Sequence, residues 1–367
     1  MSILRVGIIG LGEIAQSHCS AIAELDSVEV VAVADFFEEK QRQYMDQYNI
    51  AKGYSTHTEL LEDPEVDAVA ITLGHQLHHR LTVDACNAGK HVLVEKPMAI
   101  SLEQCDQMIQ AADDNNVKLM IGLTQHFYGT SLKAKEILDS GQLGPVITAI
   151  SCISKNWNYK GRRPQYRSRY LGGGIWLGNG VHVVDRLTWV MASQAVSVSA
   201  AVGTRAHYQA GDDSATAFIR YKNGLAGIAV AVGYADGAPN FECQVICANG
   251  SLRFSQHGEK FVRIGQGEKW EDVPYDEPKA EMQNEWAAFV QAIQQELEPP
   301  THGLWGRHMM EILFAAEQSS ITGKEVFLES GPGWFTQTSG TPVNICLLYT
   351  SDAADERSSV DLGGRRI

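Results

Sequence analysis

The chain has little positive charge and no long apolar run. Its 30 lysines and arginines are outnumbered by 44 acids, which gives a formal net charge of −14 at pH 7. The main basic cluster falls within residues 160–169, so we expect neither nucleic acid nor an anionic membrane as the principal partner. No apolar run approaches the ~18 residues that span a bilayer, and the N-terminus lacks a basic segment followed by an apolar one. The sequence therefore predicts a cytoplasmic protein that acts on a small molecule.

Cysteine and metal-ligand patterns are also lacking. Seven cysteines are scattered along the chain without a CxxC pair, which is typical of reduced thiols rather than a disulfide framework or a zinc site. His75, His78 and His79 follow an apolar strand, but no carboxylate or cysteine accompanies them at ligand spacing. We predict no metal site.

What the first third contains is an alternation of short apolar strands with helices. A length of 367 residues favours two domains, and this alternation predicts a doubly wound parallel sheet over residues 1–123. We expect the final helices of the chain, at 281–296 and 303–318, to pack on the sheet of the second domain. The predicted strands of the first sheet are 4–9, 28–34, 67–73, 91–94 and 117–123, and its helices are 13–25, 38–48, 79–88 and 101–115.

A glycine-rich turn follows the first strand. G-x-G-x-x-A at 10–15 opens a helix, where Gly10 permits a tight turn and Gly12 lets a pyrophosphate approach the free N–H groups of the helix. The second strand ends at Asp35, where a carboxylate would bind ribose hydroxyls. Asp35 would repel a 2′-phosphate and Phe36 adds no positive charge, which favours NAD over NADP. Cofactor contacts are predicted for Gly10, Gly12, Glu13, Ile14, Asp35, Phe36, Thr72, Leu73, His75, His78, Glu95, Lys96 and Gln125.

The segment GKHVLVEKPM at 89–98 places a lysine at the end of a buried strand. Glu95, Lys96 and Pro97 follow the strand at its carboxyl end, where open parallel sheets bind ligands. Pro97 restricts Lys96 to an extended conformation, and an X-Pro bond can be cis at low cost. We therefore expect Lys96 to face the ligand crevice.

The chain beyond residue 144 changes to strand periodicity. Residues 124–330 are predicted to form an α+β domain with an open, mainly antiparallel sheet. Between its first strands lies a loop at 155–176 that is rich in aromatic residues and arginines, some of which could stack on a sugar ring or pair a carboxylate. The predicted strands are 146–154, 196–202, 215–221, 225–233 and 241–247.

Five motifs in order along the chain resemble those of the glucose–fructose oxidoreductase, inositol dehydrogenase and rhizopine-catabolism family, Gfo/Idh/MocA. The resemblance covers roughly residues 3–330. It implies an NAD-binding Rossmann domain and a second domain that binds substrate and forms a homodimer or homotetramer through its sheet. The motifs are GLGEIA at 10–15, AITLGHQLHH at 70–79, AGKHVLVEKPMA at 88–99, GLTQHF at 122–127 and GGGIWLGNGVHVVD at 172–185.

The resemblance implies roles for individual residues. Lys96 corresponds to the family lysine beside the nicotinamide and substrate, and His78 to a family histidine near the end of the third strand. In the family motif D-x-G-x-H-x-x-D the histidine corresponds to His182, but Gly178 replaces the first aspartate. His126 replaces a common arginine. Substrate contacts are predicted for His126, Trp157, Tyr159, Arg167, Trp176, Asn179 and His182.

The leading hypothesis is an NAD-dependent oxidoreductase that transfers a hydride between the nicotinamide and a hydroxyl-bearing carbon of a sugar, cyclitol or related cyclic alcohol. His182 is assigned as the base and Lys96 as the donor that polarises the substrate oxygen, since both can exchange a proton near neutrality. Three alternatives stay open: an NAD-dependent glycosidase that uses transient oxidation and elimination, a dihydrodiol dehydrogenase acting on an aromatic acid, and a catalytically inactive ligand sensor.

The C-terminal segment 346–367 differs from the rest. It begins CLLYTSDAADE, which resembles the in-frame translation of a transposase adapter used in sequencing libraries. We therefore expect this segment to be non-native and to have no role in folding or function.

Overall fold

Two β-sheets organise the structure. The computed structural model describes residues 3–157, 161, 163–277 and 280–329. Tyr159 and the segment 346–367 lie outside these ranges. The strands of the first sheet are β1 (Leu4–Ile9), β2 (Val28–Ala34), β3 (Lys52–Tyr54), β4 (Ala68–Ile71), β5 (His91–Glu95) and β6 (Leu119–Gly122).

The first sheet is parallel, with strand order β3-β2-β1-β4-β5-β6. The order reverses between β1 and β4, and doubly wound sheets bind ligands outside the carboxyl ends of the strands at such a point. The helices that cover this sheet are α1 (Glu13–Ile22), α2 (Glu38–Tyr48), α3 (His57–Leu61), α4 (His75–Asn87) and α5 (Leu102–Asp114).

Local capping explains where some of these helices begin. Thr56 and Glu59 form a capping box at the start of α3, and the Ser101 hydroxyl accepts the Gln104 N–H at the start of α5. The predicted start of α4 at residue 79 is wrong, because the helix begins at His75. The three histidines therefore lie on the first turns of a helix.

The second sheet follows a 3₁₀ turn at Thr124–Phe127 and helix α6 (Gly129–Asp139). Its strands are β7 (Val146–Asn156), β8 (Ala195–Gly203), β9 (Ser214–Tyr221), β10 (Ala226–Tyr234), β11 (Glu242–Cys247), β12 (Gly250–Ser255), β13 (Phe261–Gln266), β14 (Lys269–Asp272) and β15 (Val326–Phe327). The strand order is β14-β13-β12-β11-β7-β10-β9-β8-β15, and among these pairs only β7 with β10 is parallel. The predicted fold class is confirmed.

Three longer helices pack around the second sheet and its junction with the first. A π-helical turn at Trp176–Gly180 leads into α7 (Val181–Met191), and α8 (Glu281–Gln294) and α9 (Gly303–Thr322) follow the strands. Helix α9 packs on β8, as expected, but α8 packs on α1. The expectation that α8 covers the second sheet is wrong, because its Trp286 and Phe289 are buried with the apolar residues of β1 and α1.

Within the ranges given above, no helix is both long enough and apolar enough to cross a membrane.

Candidate active site

The glycine-rich turn after β1 is shaped to receive a phosphate. Gly10 has a φ of +94°, and a Cβ at this position would lie 2.4 Å from Cγ of Leu73. Gly12 is the N-cap of α1 and has no side chain to satisfy the first N–H groups of the helix. A Cβ built on Gly12 meets no atom within 4 Å. Open space therefore adjoins unpaired helix donors, which is what a bound pyrophosphate requires.

Asp35 connects this turn to the end of β2. Its Oδ2 accepts the Leu11 N–H at 2.8 Å, and its Oδ1 accepts the Phe37 N–H at 3.0 Å. Lys40 Nζ lies 3.8 Å from the same carboxylate, whereas Phe36 is 85% exposed. Lys40 supplies a positive charge close to the expected ribose position, and a positive charge there favours the 2′-phosphate of NADP. The preference for NAD over NADP therefore stays a prediction.

Thr72, another predicted cofactor residue, supports the turn, and the predicted residues Glu13 and Ile14 follow it at the start of α1. The Thr72 hydroxyl donates to the carbonyl oxygens of Ile9 and Gly10, and it therefore fixes the end of β1 against β4. Glu13 is the first residue of α1 and is exposed, while Ile14 is 36% exposed.

Lys96 lies just beyond β5 in the position predicted from the sequence. Its ammonium donates to the carbonyl oxygen of Gly178 at 3.2 Å, which joins the first sheet to the π-helical turn of the second domain. The Lys96–Pro97 peptide bond is cis. The lysine thus reaches across the junction between the two sheets.

Glu95 is buried beneath Lys96 in a chain of hydrogen bonds. Trp286 Nε1 donates to His18 Nδ1 at 3.0 Å, which leaves His18 Nε2 to donate to Glu95 Oε1 at 3.3 Å. Glu95 Oε2 accepts the Lys96 backbone N–H. Although burial alone would raise the pKa of Glu95, the hydrogen bond from His18 and the charge of Lys96 leave that pKa below its usual value. Glu95 is therefore a carboxylate that fixes the backbone of Lys96.

His182 is the second residue of α7 and lies in the same cleft as Lys96. The cleft has a volume of about 490 Å³ and is also lined by Glu95, Ile14 and Gln125. Burial, followed by the positive charge of Lys96, lowers the pKa of His182 well below its usual value. Its Nδ1 is buried and has no hydrogen-bond partner in the described part of the chain. His182 is therefore neutral at pH 7 and able to accept a proton.

Several residues of the cleft were not predicted. Thr124 follows β6 directly and carried a signal, because it lies within the same GLTQHF motif as Gln125. His257, in the loop after β12, and Glu281, at the start of α8, carried none. Tyr128 is packed edge to face against His257, with ring centroids 5.2 Å apart. These side chains come from separate elements that only the tertiary fold brings together.

A buried acid lies behind Thr124. The Thr124 hydroxyl is 3.2 and 3.3 Å from the two carboxyl oxygens of Glu285. Burial, aided by the negative charge of Glu95, raises the pKa of Glu285 well above its usual value. Burial thus favours the protonated, uncharged form of Glu285.

His75 and His78 both make structural contacts, and the predicted cofactor contact of His75, which is half-buried, stays a prediction. His78 is fully buried, and its ring nitrogens lie 2.9 Å from the Pro97 carbonyl and 3.1 Å from the Leu73 carbonyl. His75 Nδ1 lies 2.8 Å from the Gly172 carbonyl. The prediction for His78 is corrected, because no face of its ring is exposed to a ligand.

The predicted aromatic platform is also corrected. Trp157 and Trp176 are 1% and 0% exposed, so neither indole has a face on which a sugar ring can stack. Trp157 donates its indole N–H to Gln209, and Trp176 donates to the Leu313 carbonyl. The loop-like sequence around Trp157 and Trp176 favours a contact with a ligand, whereas in the structure both indoles anchor the segment in the core.

Arg167 and Asn179, two further predicted substrate residues, do not line the cleft. Arg167 is half-buried in a 3₁₀ turn at Pro164–Arg167, and Asn179 is half-buried within the π-helical turn. Arg169, the other arginine considered for a substrate carboxylate, instead forms two hydrogen bonds with Glu317, at 2.5 and 2.7 Å.

His126 points into a different cavity. Its Nε2 lies 2.8 Å from Asp185 Oδ1, and its ring stacks on Trp189 with centroids 4.4 Å apart. With Trp305 it lines a cavity of about 960 Å³ that includes neither Lys96 nor His182. The prediction that His126 contacts the substrate is therefore wrong for the cleft that holds Lys96 and His182, because the pairing with Asp185 turns the ring away from that cleft.

Comparison with known proteins identifies the family. Residues 4–123 match the model of the Gfo/Idh/MocA oxidoreductase family, NAD-binding Rossmann fold, and residues 131–253 match a Gfo/Idh/MocA C-terminal domain. The chain belongs to this family of oxidoreductases. The predicted family and the predicted cofactor, NAD, are confirmed.

The individual relatives have low sequence identity with this chain. A 1-carboxy-3-chloro-3,4-dihydroxycyclohexa-1,5-diene dehydrogenase of Comamonas testosteroni is 31% identical over 63% of this chain and 58% of its own length. A myo-inositol 2-dehydrogenase of Thermotoga maritima is 29% identical over 61% of this chain and 67% of its own. The crystal structure of the Caulobacter crescentus aldose-aldose oxidoreductase superposes with a TM-score of 0.82 at 23% identity, over 89% of this chain and 100% of that one. This last likeness concerns the fold.

Proposed function

We propose that the protein is an NAD-dependent dehydrogenase that oxidises a secondary alcohol of a sugar, a cyclitol or a related cyclic alcohol. The observation that carries the proposal is that Lys96 and His182 line one cleft with Ile14, in the first turn of the helix that begins at the glycine turn. Relatives named for a cyclitol and for a carbocyclic diol support this substrate range.

The cofactor fits the residues present. The open space at Gly12, the first N–H groups of α1 and the Asp35 carboxylate would hold its pyrophosphate and ribose. When bound, NAD⁺ supplies the acceptor for the hydride that leaves the carbinol carbon.

The side chains of the cleft handle the proton. His182, neutral because it is buried, accepts the hydroxyl proton as the CH–OH group becomes C=O. The Lys96 ammonium donates a hydrogen bond to the same oxygen and so stabilises the negative charge that develops there. Glu95 fixes the lysine backbone from below. The reverse assignment, with Lys96 as base and His182 as donor, remains the alternative.

A substrate panel tests the proposal. Sugars, cyclitols, glycosides and cis- and trans-dihydrodiols are each incubated with the protein and NAD⁺, and NADH is followed by its absorbance. We expect stoichiometric ketone and NADH from at least one alcohol. Release of aglycone without net NADH would show a redox-neutral glycosidase instead, and failure of every compound that binds to reduce NAD⁺ would support a ligand sensor.

A carbocyclic diol is the second candidate substrate class. It is favoured by the Comamonas relative, which is named for a carboxylated dihydroxycyclohexadiene. The panel separates the two classes, because dihydrodiol oxidation yields a catechol whereas cyclitol oxidation yields a polyhydroxylated cyclic ketone.

We also propose that two or more copies associate through the uncovered face of the second sheet. On this face Ile150, Ile228 and Phe218 are neighbours across β7, β10 and β9. Ile150 and Phe218 are 38% and 39% exposed, and apolar sheet faces of this kind are usually covered. Light scattering of the Phe218→Asp variant should show a shift towards monomer, and an unchanged mass would contradict this interface.

A further inference from the structure

The π-helical turn has open space at Gly178, whose carbonyl oxygen contacts the Lys96 ammonium. A Cβ built on Gly178 meets no atom within 4 Å, whereas one on Gly180 would lie 2.4 Å from the Trp176 ring and one on Gly174 only 2.1 Å from Asp212. Lys96 Nζ is 3.2 Å from the Gly178 carbonyl oxygen. The Gly178 backbone therefore contacts a cation, and among the described residues no atom packs against the position that a side chain would take there.

A second cation is buried one helical turn beyond His182. Arg186 is 1% exposed, and among the described residues none of its hydrogen-bond partners is a carboxylate. Its five N–H donors bond to neutral oxygens: Ser151 Oγ, Gln256 Oε1 and the carbonyls of Cys152, Phe241 and Glu242. Buried charges in proteins are usually paired. This one is hydrogen-bonded to dipoles, and its charge is one of those that lower the pKa of His182.

The acids nearest to Arg186 are engaged elsewhere. Asp185 Oδ1 is bonded to His126 and to the Trp305 indole, and both carboxylate oxygens of Glu242 are bonded to Arg253. Neither carboxylate therefore compensates the guanidinium by direct contact.

The acids of the cleft are engaged as well. Glu95 is tied to His18 and to the Lys96 N–H, and Glu281 accepts a hydrogen bond from Tyr128. After burial, the largest influences on the pKa of His182 all lower it, and they come from Lys96, His257, Arg186 and Lys155. Positive charge on these four groups thus disfavours the imidazolium form of His182.

We propose that the substrate is an anionic alcohol whose carboxylate occupies the space at Gly178, next to Lys96 and near His182. This inference deepens the proposed function and rests on it. A carboxylate placed there pairs with Lys96 and offsets the field of Arg186. It also favours the imidazolium that forms when His182 accepts the hydroxyl proton, because an adjacent negative charge raises the pKa of a histidine.

Matched pairs of compounds test the inference. Glucose with glucuronate, galactose with galacturonate, and cyclohexane-1,2-diol with 3,4-dihydroxycyclohexane-1-carboxylate differ within each pair by the carboxylate. Binding to the protein–NADH complex is measured by calorimetry, and turnover with NAD⁺ is measured by NADH formation. We expect at least one carboxylate to bind about tenfold or more tightly than its neutral partner, since one close charge pair commonly contributes this much.

The outcomes separate the inference from the function on which it rests. The inference is overturned if the neutral partner binds equally or more tightly in every pair, or if no carboxylate binds. In that case NADH formation from a neutral alcohol would still support the proposed dehydrogenase reaction. Tight carboxylate binding without NADH from any compound supports the anion site and contradicts the proposed reaction.

Two variants of one position separate charge from volume. Gly178→Asp and Gly178→Asn add nearly the same volume, and the open space accepts either. We expect Gly178→Asp to lower the ratio of carboxylate to neutral affinity at least tenfold more than Gly178→Asn does. An equal effect of the two substitutions on that ratio would mean that charge at this position does not select the substrate, and the inference fails.

Discussion

The two sides of the cleft are built in different ways. The cofactor side takes Gly12, Asp35 and Lys96 from the carboxyl ends of parallel strands, each with a local motif around it. The substrate side takes His182 from a helix and His257 from a loop after β12, and neither the spacing nor the order of these residues marks them as neighbours. Residues at strand ends converge because a parallel sheet brings those ends to one edge. Residues of the substrate side converge only through packing.

Electrostatics also differ between the two sides. On the cofactor side Glu95 is kept charged by His18 and Lys96, and Asp35 is held by two backbone N–H groups. On the substrate side burial raises the pKa of the nearby acid Glu285, and the buried Arg186 has no carboxylate partner among its hydrogen bonds to the described residues. On the cofactor side the protein itself therefore stabilises both carboxylates. On the substrate side we propose that a ligand supplies the anion that compensates the positive charge.

The largest effect should come from Lys96, which connects the two sides. Lys96→Met keeps the apolar stem but removes the donor to the substrate oxygen, so kcat should fall by roughly 10² to 10⁴ while NAD affinity changes little. Steady-state kinetics with the oxidised alcohol and calorimetry with NAD⁺ measure the two effects.

Lys90 provides the matched control for this lysine. Lys90 Nζ donates to the carbonyls of Asp63 and Val66, and these contacts are structural. Lys90→Met should lower the melting temperature and leave kcat of the folded protein unchanged. Near-full turnover by Lys96→Met would exclude this lysine from the chemistry.

How far the sequence predicts the fold follows the same division. The boundaries of β1 and α2 agree with those predicted, and β5 is one residue longer than predicted. These elements can be predicted because the apolar pattern of a buried strand or an amphipathic helix is visible in the local sequence. The short β3 and α3 were not predicted, and neither were β12 to β15, since brief strands with few apolar residues lack such a signal.

The candidate site was predicted in part for related reasons. Lys96 and His182 do line one cleft, but Trp157 and Trp176 are buried in the core. An aromatic residue in a polar, glycine-rich segment has the same local sequence whether it binds a ligand or anchors the segment. Only the long-range contacts with Gln209 and Leu313 decide between these roles.

His182 tests whether the substrate side contributes to proton transfer as strongly as Lys96. His182→Gln should lower kcat by a factor similar to Lys96→Met, and the double variant should lose less than the product, because both groups act on one oxygen. Since its pKa is lowered, His182 stays deprotonated as the pH falls through 6.5, and kcat/KM should show no acid limb near that value. Strictly multiplicative losses, or an acid limb at pH 6.5, would contradict the assignment.

Asp35 tests the independence of the cofactor side. Asp35→Ala should weaken NAD roughly 10- to 100-fold and NADP much less, because the bonds from a carboxylate to ribose hydroxyls contribute about 1.5 to 3 kcal/mol. Asp35→Asn is the control, since its amide oxygen can still accept the Leu11 N–H and hold the glycine turn. Tighter binding of NADP than NAD by the unmodified protein would refute the ribose assignment, and kcat at saturating NAD should be nearly unchanged in both variants.

The smallest effect concerns His75, which joins α4 on the cofactor side to the Gly172 carbonyl on the substrate side. Burial lowers the pKa of His75 to about 3, whereas in the unfolded chain it is near 6.5. The unfolded state therefore binds a proton that the folded state does not, and the folded state loses stability as the pH falls below about 6.5. At pH 5 this loss should reach about 1 to 2 kcal/mol. His75→Gln keeps a donor for the carbonyl and cannot titrate. Between pH 7.5 and pH 5 its free energy of unfolding, measured with denaturant, should therefore rise by that amount relative to that of the unmodified protein. A stability difference that is the same at both pH values would mean that His75 is not held neutral at this junction.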